Sequence, residues 1–297
     1  MASKQVVLVT GASTGFGRLF VETLARKGHT VFASMRDPGG RNAKNSAEIR
    51  ALAEKDSLDI HIVELDVTDD VSVNKAVDSI VRQVGRIDVA INNAGYPVVG
   101  LMEATTTEQA RKLMDTNFMG PVRVNRAVLP HLRRQRSGLL LHISSGAGRL
   151  VFPSFGHYSA SKFAMEAFAE AYSYELAPQG IESVIVEPGA YQTAIFGNIV
   201  FAEDQARGET YGSAKNIAEK INAGLAAVAG NPQEVADLVL RIVETPTGER
   251  QLRYRISPSA SAVDEINALC AKTQAEVFQA FGLADDLKFR KDKAAAV

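Results

Sequence analysis

Six short runs of apolar, mostly β-branched residues recur along this chain, and this rhythm constrains the fold more than any single residue does. The runs are VVLVT (6–10), TVFASM (30–35), IHIVELDV (60–67), IDVAINNAG (87–95), LLLHISS (139–145) and IESVIVEPG (181–189). Helical stretches lie between the early runs: Arg18 to Lys27, Ser46 to Lys55, and VSVNKAVDSIVRQVG (71–85) with apolar residues three and four apart. Strands this continuously rich in Val, Ile and Leu need cover on both faces. Strand alternating with helix then predicts an α/β doubly wound parallel sheet, Rossmann-like, with helices on both faces of a single domain. No internal repeat or low-complexity linker interrupts the pattern.

The first strand runs straight into TGASTGFG (10–17), which opens the first helix. In this position the glycines carry a mechanism. Gly11 permits a tight turn, Gly15 lets backbone approach a pyrophosphate, and Gly17 allows close helix packing. The helix N-terminus adds unpaired N–H groups and partial positive charge for the phosphates. A turn that was merely tight would need one glycine rather than three. Gly11, Ser13, Thr14, Gly15, Phe16 and Gly17 are therefore the expected cofactor-binding turn. The second strand ends FASMRDP, with Met35 where an acidic ribose ligand is expected and Arg36 after it. A guanidinium pairs with a 2′-phosphate through parallel hydrogen bonds, so NADP(H) is expected rather than NAD. The alternative is that Asp37 neutralises Arg36 on a solvated loop.

Residues Ala190 to about Asn231 break the alternation. A long, Gly- and Ala-rich excursion after a strand's C-terminal end is where such sheets place a substrate lid. A helical pattern returns from Ser259 to Phe281, with Val263, Ile266, Leu269, Val277 and Phe281 near one face. The expected organisation is a catalytic domain over 1–258, with a lid region at 190–231, and a helical C-terminal extension over 259–297. A net charge of −1 offers no basic field to gather nucleic acid or an anionic membrane. The single Cys270 forms no internal disulfide. The five histidines lack metal-ligand spacing, so no metal site is expected. The chain opens directly into VVLVT without a secretory h-region and holds no run long enough to span a membrane, so a cytoplasmic protein is expected.

The later motifs carry chemistry. LDV (65–67), NNAG (92–95), TNFMG (116–120), ISS (143–145), YSASK (158–162) and PGAYQT (188–193) follow the glycine turn in order. Together they cover residues 5 to about 195, and the chain resembles the short-chain dehydrogenase/reductase family, its steroid- and retinol-like branch in particular. That resemblance implies catalytic roles for Asn117, Ser145, Tyr158 and Lys162. Asn117 would anchor a water in a proton relay. Ser145 is preferred over Ser144 because it lies thirteen residues before Tyr158, the usual spacing in the family. It further implies that Asp66 and Val67 meet the adenine, that Asn93, Ala94 and Gly95 line the cofactor and brace the central strand, and that Pro188, Gly189 and Thr193 position the nicotinamide.

Tyr158 and Lys162, four apart, share a helix face. An ammonium about 4 Å from a phenolate stabilises it by about 4 kcal/mol at an effective dielectric near 20, an upper figure because Lys162 also has ribose hydroxyls to hold. That would bring a tyrosine of pKa ~10 near 7, where a general acid/base works best. Ser145 would bond the substrate oxygen as charge develops there. His157 points to a different helix face and reads as a wall or cap residue. The expected activity is hydride transfer between NADP(H) and a carbonyl or secondary alcohol. Mostly apolar residues near the site (Val98, Val99, Phe152, Pro153, Tyr191, Ile195 and Phe196) suggest a hydrophobic substrate. Two other classes share features with this reading: a cofactor-sensing scaffold without turnover, and a sugar epimerase or dehydratase, which normally carries a larger C-terminal domain. Phe163, Ala167, Ala171 and Tyr174 form an apolar stripe on the YSASK helix, and family members pair through that helix, so a homodimer or homotetramer is expected.

Overall fold

The computed structural model of the chain describes residues 3–192, 199–258 and 262–289. Its strands are β1 (Val6–Val9), β2 (Thr30–Met35), β3 (Ile60–Glu64), β4 (Val89–Asn92), β5 (Val98–Val99), β6 (Gly138–Ile143), β7 (Ile181–Pro188), β8 (Val200–Phe201) and β9 (Arg253–Ile256). Seven of them form one sheet in the order β3-β2-β1-β4-β6-β7-β9, and every pairing is parallel. β1 is flanked by β2 and β4, with Val7 opposite both Val31 and Val89. The strand order therefore reverses beside β1, and a crevice opens there at the C-terminal ends, the site such sheets use for ligands.

Ten helices surround the sheet among the described residues: α1 (Gly15–Arg26), α2 (Ala43–Asp56), α3 (Asp70–Val84), α4 (Thr107–Met114), α5 (Gly120–Gln135), α6 (Gly156–Glu175), α7 (Gln205–Glu209), α8 (Ile217–Ala227), α9 (Gln233–Glu244) and α10 (Val263–Ala280). Along β1 the side chains alternate between two cores. Val7 and Val9 pack with Phe20 and Leu24 of α1 and Val239 of α9 on one face. Val6 and Leu8 pack with Val77 and Ile80 of α3 and Val128 of α5 on the other. Both faces are dry, which explains the absence of polar alternation in the sequence.

The structure adds a seventh sheet strand to the six read from sequence. RYRI of β9 alternates arginine with apolar residues, the pattern of a surface strand. It pairs with β7 because carboxylates wait for both arginines: Glu166, Glu170 and Glu187 for Arg253, and Asp264 for Arg255. Helices α4, α5 and α9 lie outside the helical stretches named from the sequence. Within 199–231, β8 pairs with β5 as a separate ribbon, and Gln109 of α4 binds the Phe201 carbonyl at 2.8 Å. α10 seats Val263 in the protein and lays Phe278 against Tyr174 of α6 at 4.9 Å, while Leu269, Val277 and Phe281 stay exposed.

Candidate active site

The β1–α1 turn is shaped by contacts that only glycine permits. Gly11 has φ +66°, and a Cβ there would sit 2.9 Å from Ala94 Cα. Gly15 is at φ +58°. At Gly17 a Cβ would lie 2.6 Å from Asn93 Nδ2. Asn93 is the clamp on this turn: its Nδ2 donates to the Thr10 and Gly11 carbonyls at 2.8 and 3.2 Å. The Thr10 hydroxyl accepts from the Asn93 and Ala94 amides at 2.9 and 3.1 Å. Thr14, the N-cap of α1, makes no side-chain cap and the first turn carries no acid, so its amides stay available to an anion.

A cavity of about 940 Å³ runs from this turn across the crevice. Ser13, Thr14, Gly15, Phe16, Arg36, Asp66, Val67, Ala94, Gly95, Pro188 and Gly189 line it with Gly11 and Asn93, and so do Ser145, Tyr158, Lys162, Phe152 and Tyr191. Gly17 and Asn117 lie behind the wall. Val99 does not reach the cavity: it is fully buried in the β5–β8 ribbon, where nearness in sequence to NNAG was a misleading guide. Thr193, Ile195 and Phe196 lie outside the described residues. Arg41, Asn42 and Asn45 also line the cavity beside Arg36, as do Leu150, Phe155 and Leu225. None stands in a motif, although Arg41, Asn42 and Asn45 fall in the polar run RDPGGRNAKN (36–45) after the second strand. Asp37 does not neutralise Arg36. At φ 44° it turns back to accept from the Arg41 amide at 2.8 Å, and among the described residues no carboxylate pairs with Arg36.

β6 delivers the two serines in opposite directions. Ser144 donates to Glu166 at 2.6 Å inside the protein, whereas Ser145 faces the cavity and caps the turn Gly146–Gly148 by accepting from the Ala147 amide. Tyr158 stands in the first turn of α6, and Lys162 one turn later is 6% exposed. The Lys162 ammonium donates to the Ile143 carbonyl at 2.8 Å and lies 5.7 Å from the Tyr158 ring centroid. Asn117 occupies a π-helical turn, Asp115–Met119, between α4 and α5. There it bonds both backbone groups of Tyr96 and the Ser161 hydroxyl. A π-bulge of this kind often marks a functional position. His157 reaches the Met102 carbonyl at 3.3 Å, away from the cavity.

The expected depression of the Tyr158 pKa is not found. Burial pushes the phenol up to about 12, and a hydrogen bond with Ser145 offsets part of this. Burial also brings Lys162 down to about 8, against the raising effect of Glu166. Desolvation dominates because the phenol is set into the cavity wall and the Lys162 ammonium is turned to the Ile143 carbonyl. A phenol held this high is neutral at physiological pH.

Residues 5–204 match the family model described as short chain dehydrogenase. The chain belongs to the short-chain dehydrogenase family. A 3-ketodihydrosphingosine reductase of Bacteroides thetaiotaomicron is 38% identical over 70% of this chain and 71% of its own length. Human retinol dehydrogenase 8 is 32% identical over 92% of this chain and 89% of its own. The crystal structure of an actinorhodin polyketide ketoreductase variant with NADPH superposes with a TM-score of 0.72 at 26% identity, covering 87% of this chain and 98% of that one. The protein is thus an oxidoreductase of the short-chain dehydrogenase family. Among the described residues no helix is long and apolar enough to cross a membrane, and no cluster of His, Cys, Asp and Glu could hold a metal.

Proposed function

We propose that this short-chain dehydrogenase is an NADP(H)-dependent carbonyl reductase or alcohol dehydrogenase acting on a hydrophobic carbonyl or secondary alcohol. The observation that carries the reading is convergence: Ser145, Tyr158 and Lys162 line the same cavity as the glycine turn. The turn fits a dinucleotide. Its uncapped helix amides suit a pyrophosphate, and Gly11 and Gly17 let the turn close on Ala94 and Asn93, where a Cβ would clash. Arg36, with Arg41, Asn42 and Asn45 nearby, supports a 2′-phosphate and hence NADP(H) over NAD. Asp66, Val67, Asn93, Ala94, Gly95, Pro188 and Gly189 would hold the rest. When bound, the nicotinamide supplies or accepts the hydride.

The chain's own residues do the proton chemistry. Ser145 donates to the substrate oxygen as negative charge builds on it. Tyr158 delivers the proton, and its raised pKa favours the direction of reduction at neutral pH. Lys162 offers a cation beside the phenol and donors for ribose hydroxyls, and Asn117 supports the relay through α6. Phe152, Tyr191, Phe155, Leu150 and Leu225 give the substrate end an apolar wall, consistent with relatives named for a ketosphingoid and for retinol. Residues 190–231 serve as its lid, with 1–258 the catalytic domain and 259–297 an extension, in a cytoplasmic enzyme. The α6 face bearing Phe163, Ala167 and Ala171 is turned outward, with Phe163 40% exposed, while Tyr174 is partly covered by Phe278. That outward face supports pairing into a homodimer or homotetramer. Oxidation of NADPH against a panel of aliphatic, aromatic and long-chain ketones tests the reading. Turnover with apolar ketones supports it, and no turnover across the panel refutes it.

A further inference from the structure

Against the catalytic wall lies a buried cluster of charge that the reaction as described does not use, with Glu187 alone of its members lining the cavity. α6 supplies Glu166 and Glu170, β7 supplies Glu187, β9 supplies Arg253, and the turn after β6 supplies Arg149. Glu166 is 2% exposed and Glu187 is fully buried. One Glu166 oxygen accepts from Ser144 at 2.6 Å; the other lies 3.4 Å from Arg253 Nε and 4.0 Å from Arg149 Nε. Arg253 also pairs with Glu187 at 3.3 Å and Glu170 at 2.6 Å. α10 closes the cluster from outside, where Asn267 donates to Glu187 at 2.8 Å. Gly148 leaves room for the arrangement, since a Cβ there would sit 2.6 Å from the Ser144 hydroxyl.

Three buried carboxylates thus face two guanidiniums. Burial of an uncompensated charge is costly, so the cluster needs either a proton or a further cation. Burial and the charge of Glu166 raise the Glu187 carboxyl, so the proton falls there; Glu166 has a further cation on its own helix, Lys162, one turn before it. Tyr158 on the same helix and His142 on β6 also face that amine, and Glu166 acts on it in the stabilising sense, opposing its desolvation. The same carboxylate grips Ser144, whose neighbour in the chain is Ser145. One side chain therefore bonds the neighbour of Ser145 and stands one turn from Lys162, while it does not line the cavity.

We infer that Glu166 is a positioning residue for the reaction: its carboxylate fixes Ser144, and through it the Ser145 hydroxyl, and it stands one turn from Lys162 as the counter-charge of that amine. This rests on the reductase reading, but its test does not depend on turnover. The full chain, with 15N-labelled lysine, is titrated by NMR, and the Lys162 signal is assigned with Lys162→Arg. Glu166→Gln keeps an acceptor for Ser144 and removes the charge. Lys162 in this variant should lose its proton at a lower pH than in the wild type, by about one pH unit. An unchanged midpoint overturns the charge role.

Ser144→Ala deletes one oxygen and leaves the charge in place, so it remains informative even if Glu166→Gln does not fold. Its Lys162 midpoint should match the wild type. Its kcat for NADPH-dependent reduction of benzil should fall about tenfold with KM for NADPH unchanged, the loss expected from a displaced oxyanion donor. An unchanged kcat overturns the Ser144 arm. If Lys162 shifts as stated and benzil is never reduced even by the wild type, the positioning stands and the reductase reading fails. If the wild type reduces benzil and the midpoint stays fixed, the reverse holds.

Discussion

Replacing Gly17 with alanine tests whether the β1–α1 turn is as tightly fitted as its contacts imply. The added Cβ would press on the Gly11 carbonyl and lie 2.6 Å from Asn93 Nδ2, where real Cβ contacts stay beyond 3.0 Å. Gly11 is backbone, and Asn93 is held by bonds to Thr10 and Gly11, so neither can move without loss. Overpacking of this sort costs about 1–3 kcal/mol. Losing an Asn93 bond adds about 1 kcal/mol. Alanine returns about 1 kcal/mol in helix propensity. The net is a loss of about 1–3 kcal/mol, a drop of several degrees in Tm for a chain of this size. Because the displaced atoms bound the phosphate turn, NADPH affinity should fall about tenfold. Gly224→Ala in α8 is the control: a Cβ there meets nothing within 4 Å, so it should stabilise by about 0.5–1 kcal/mol and leave affinity alone. Thermal unfolding and fluorescence titration with NADPH measure both quantities. A Gly17→Ala protein with wild-type Tm and affinity would refute the reasoning.

Arg36→Asp should lower the ratio of kcat/KM with NADPH to that with NADH by about 10- to 100-fold, given about 1.5–3 kcal/mol for a charge-assisted bond on an exposed side chain; an unchanged ratio contradicts the NADP(H) assignment. Phe163→Glu should reduce the light-scattering mass of the assembled protein towards 31.9 kDa, and a wild type that already shows that mass at every concentration refutes assembly. Burial, then Glu166, holds the Glu187 carboxyl above its ordinary value of 4.5. Its stabilising contribution is therefore complete below that value and is lost as pH rises through the folded value. Wild-type stability relative to Glu187→Gln should fall between about pH 5 and about pH 8 in urea titrations, and a constant difference would show that the carboxyl is not raised.

Much of this fold is legible because its strands are buried on both faces. Val6 to Val9 can be apolar throughout only if helices cover both sides, and they do. β9 escaped because legibility fails where a charge is neutralised by residues far away in sequence. Arg253 reads as a surface residue until Glu166, Glu170 and Glu187 are brought to it by α6 and β7. The site shows the same division. The spacing usual in the family separated Ser145 from Ser144, and the structure turns them in opposite directions just after β6. Helical periodicity put Tyr158 and Lys162 on one face, yet it carried no information about desolvation, so the direction of the Tyr158 shift was misjudged. Val99 illustrates a third failure: closeness along the chain to NNAG does not survive the ribbon that β5 forms with β8. The stripe on α6 could be read as periodic, but which way it faces depends on the sheet beneath it.

The central claim is that Tyr158 gives the proton in an NADPH-dependent reduction. Tyr158→Phe removes one hydroxyl and almost no packing, so NADPH should still bind within a few-fold of wild type while turnover of the best ketone falls by at least about 100-fold. Binding by fluorescence and turnover by NADPH absorbance, measured on the same preparation, decide the matter. Intact binding with lost turnover is the predicted result; a variant that binds NADPH and keeps more than about 1% of wild-type turnover would contradict the account.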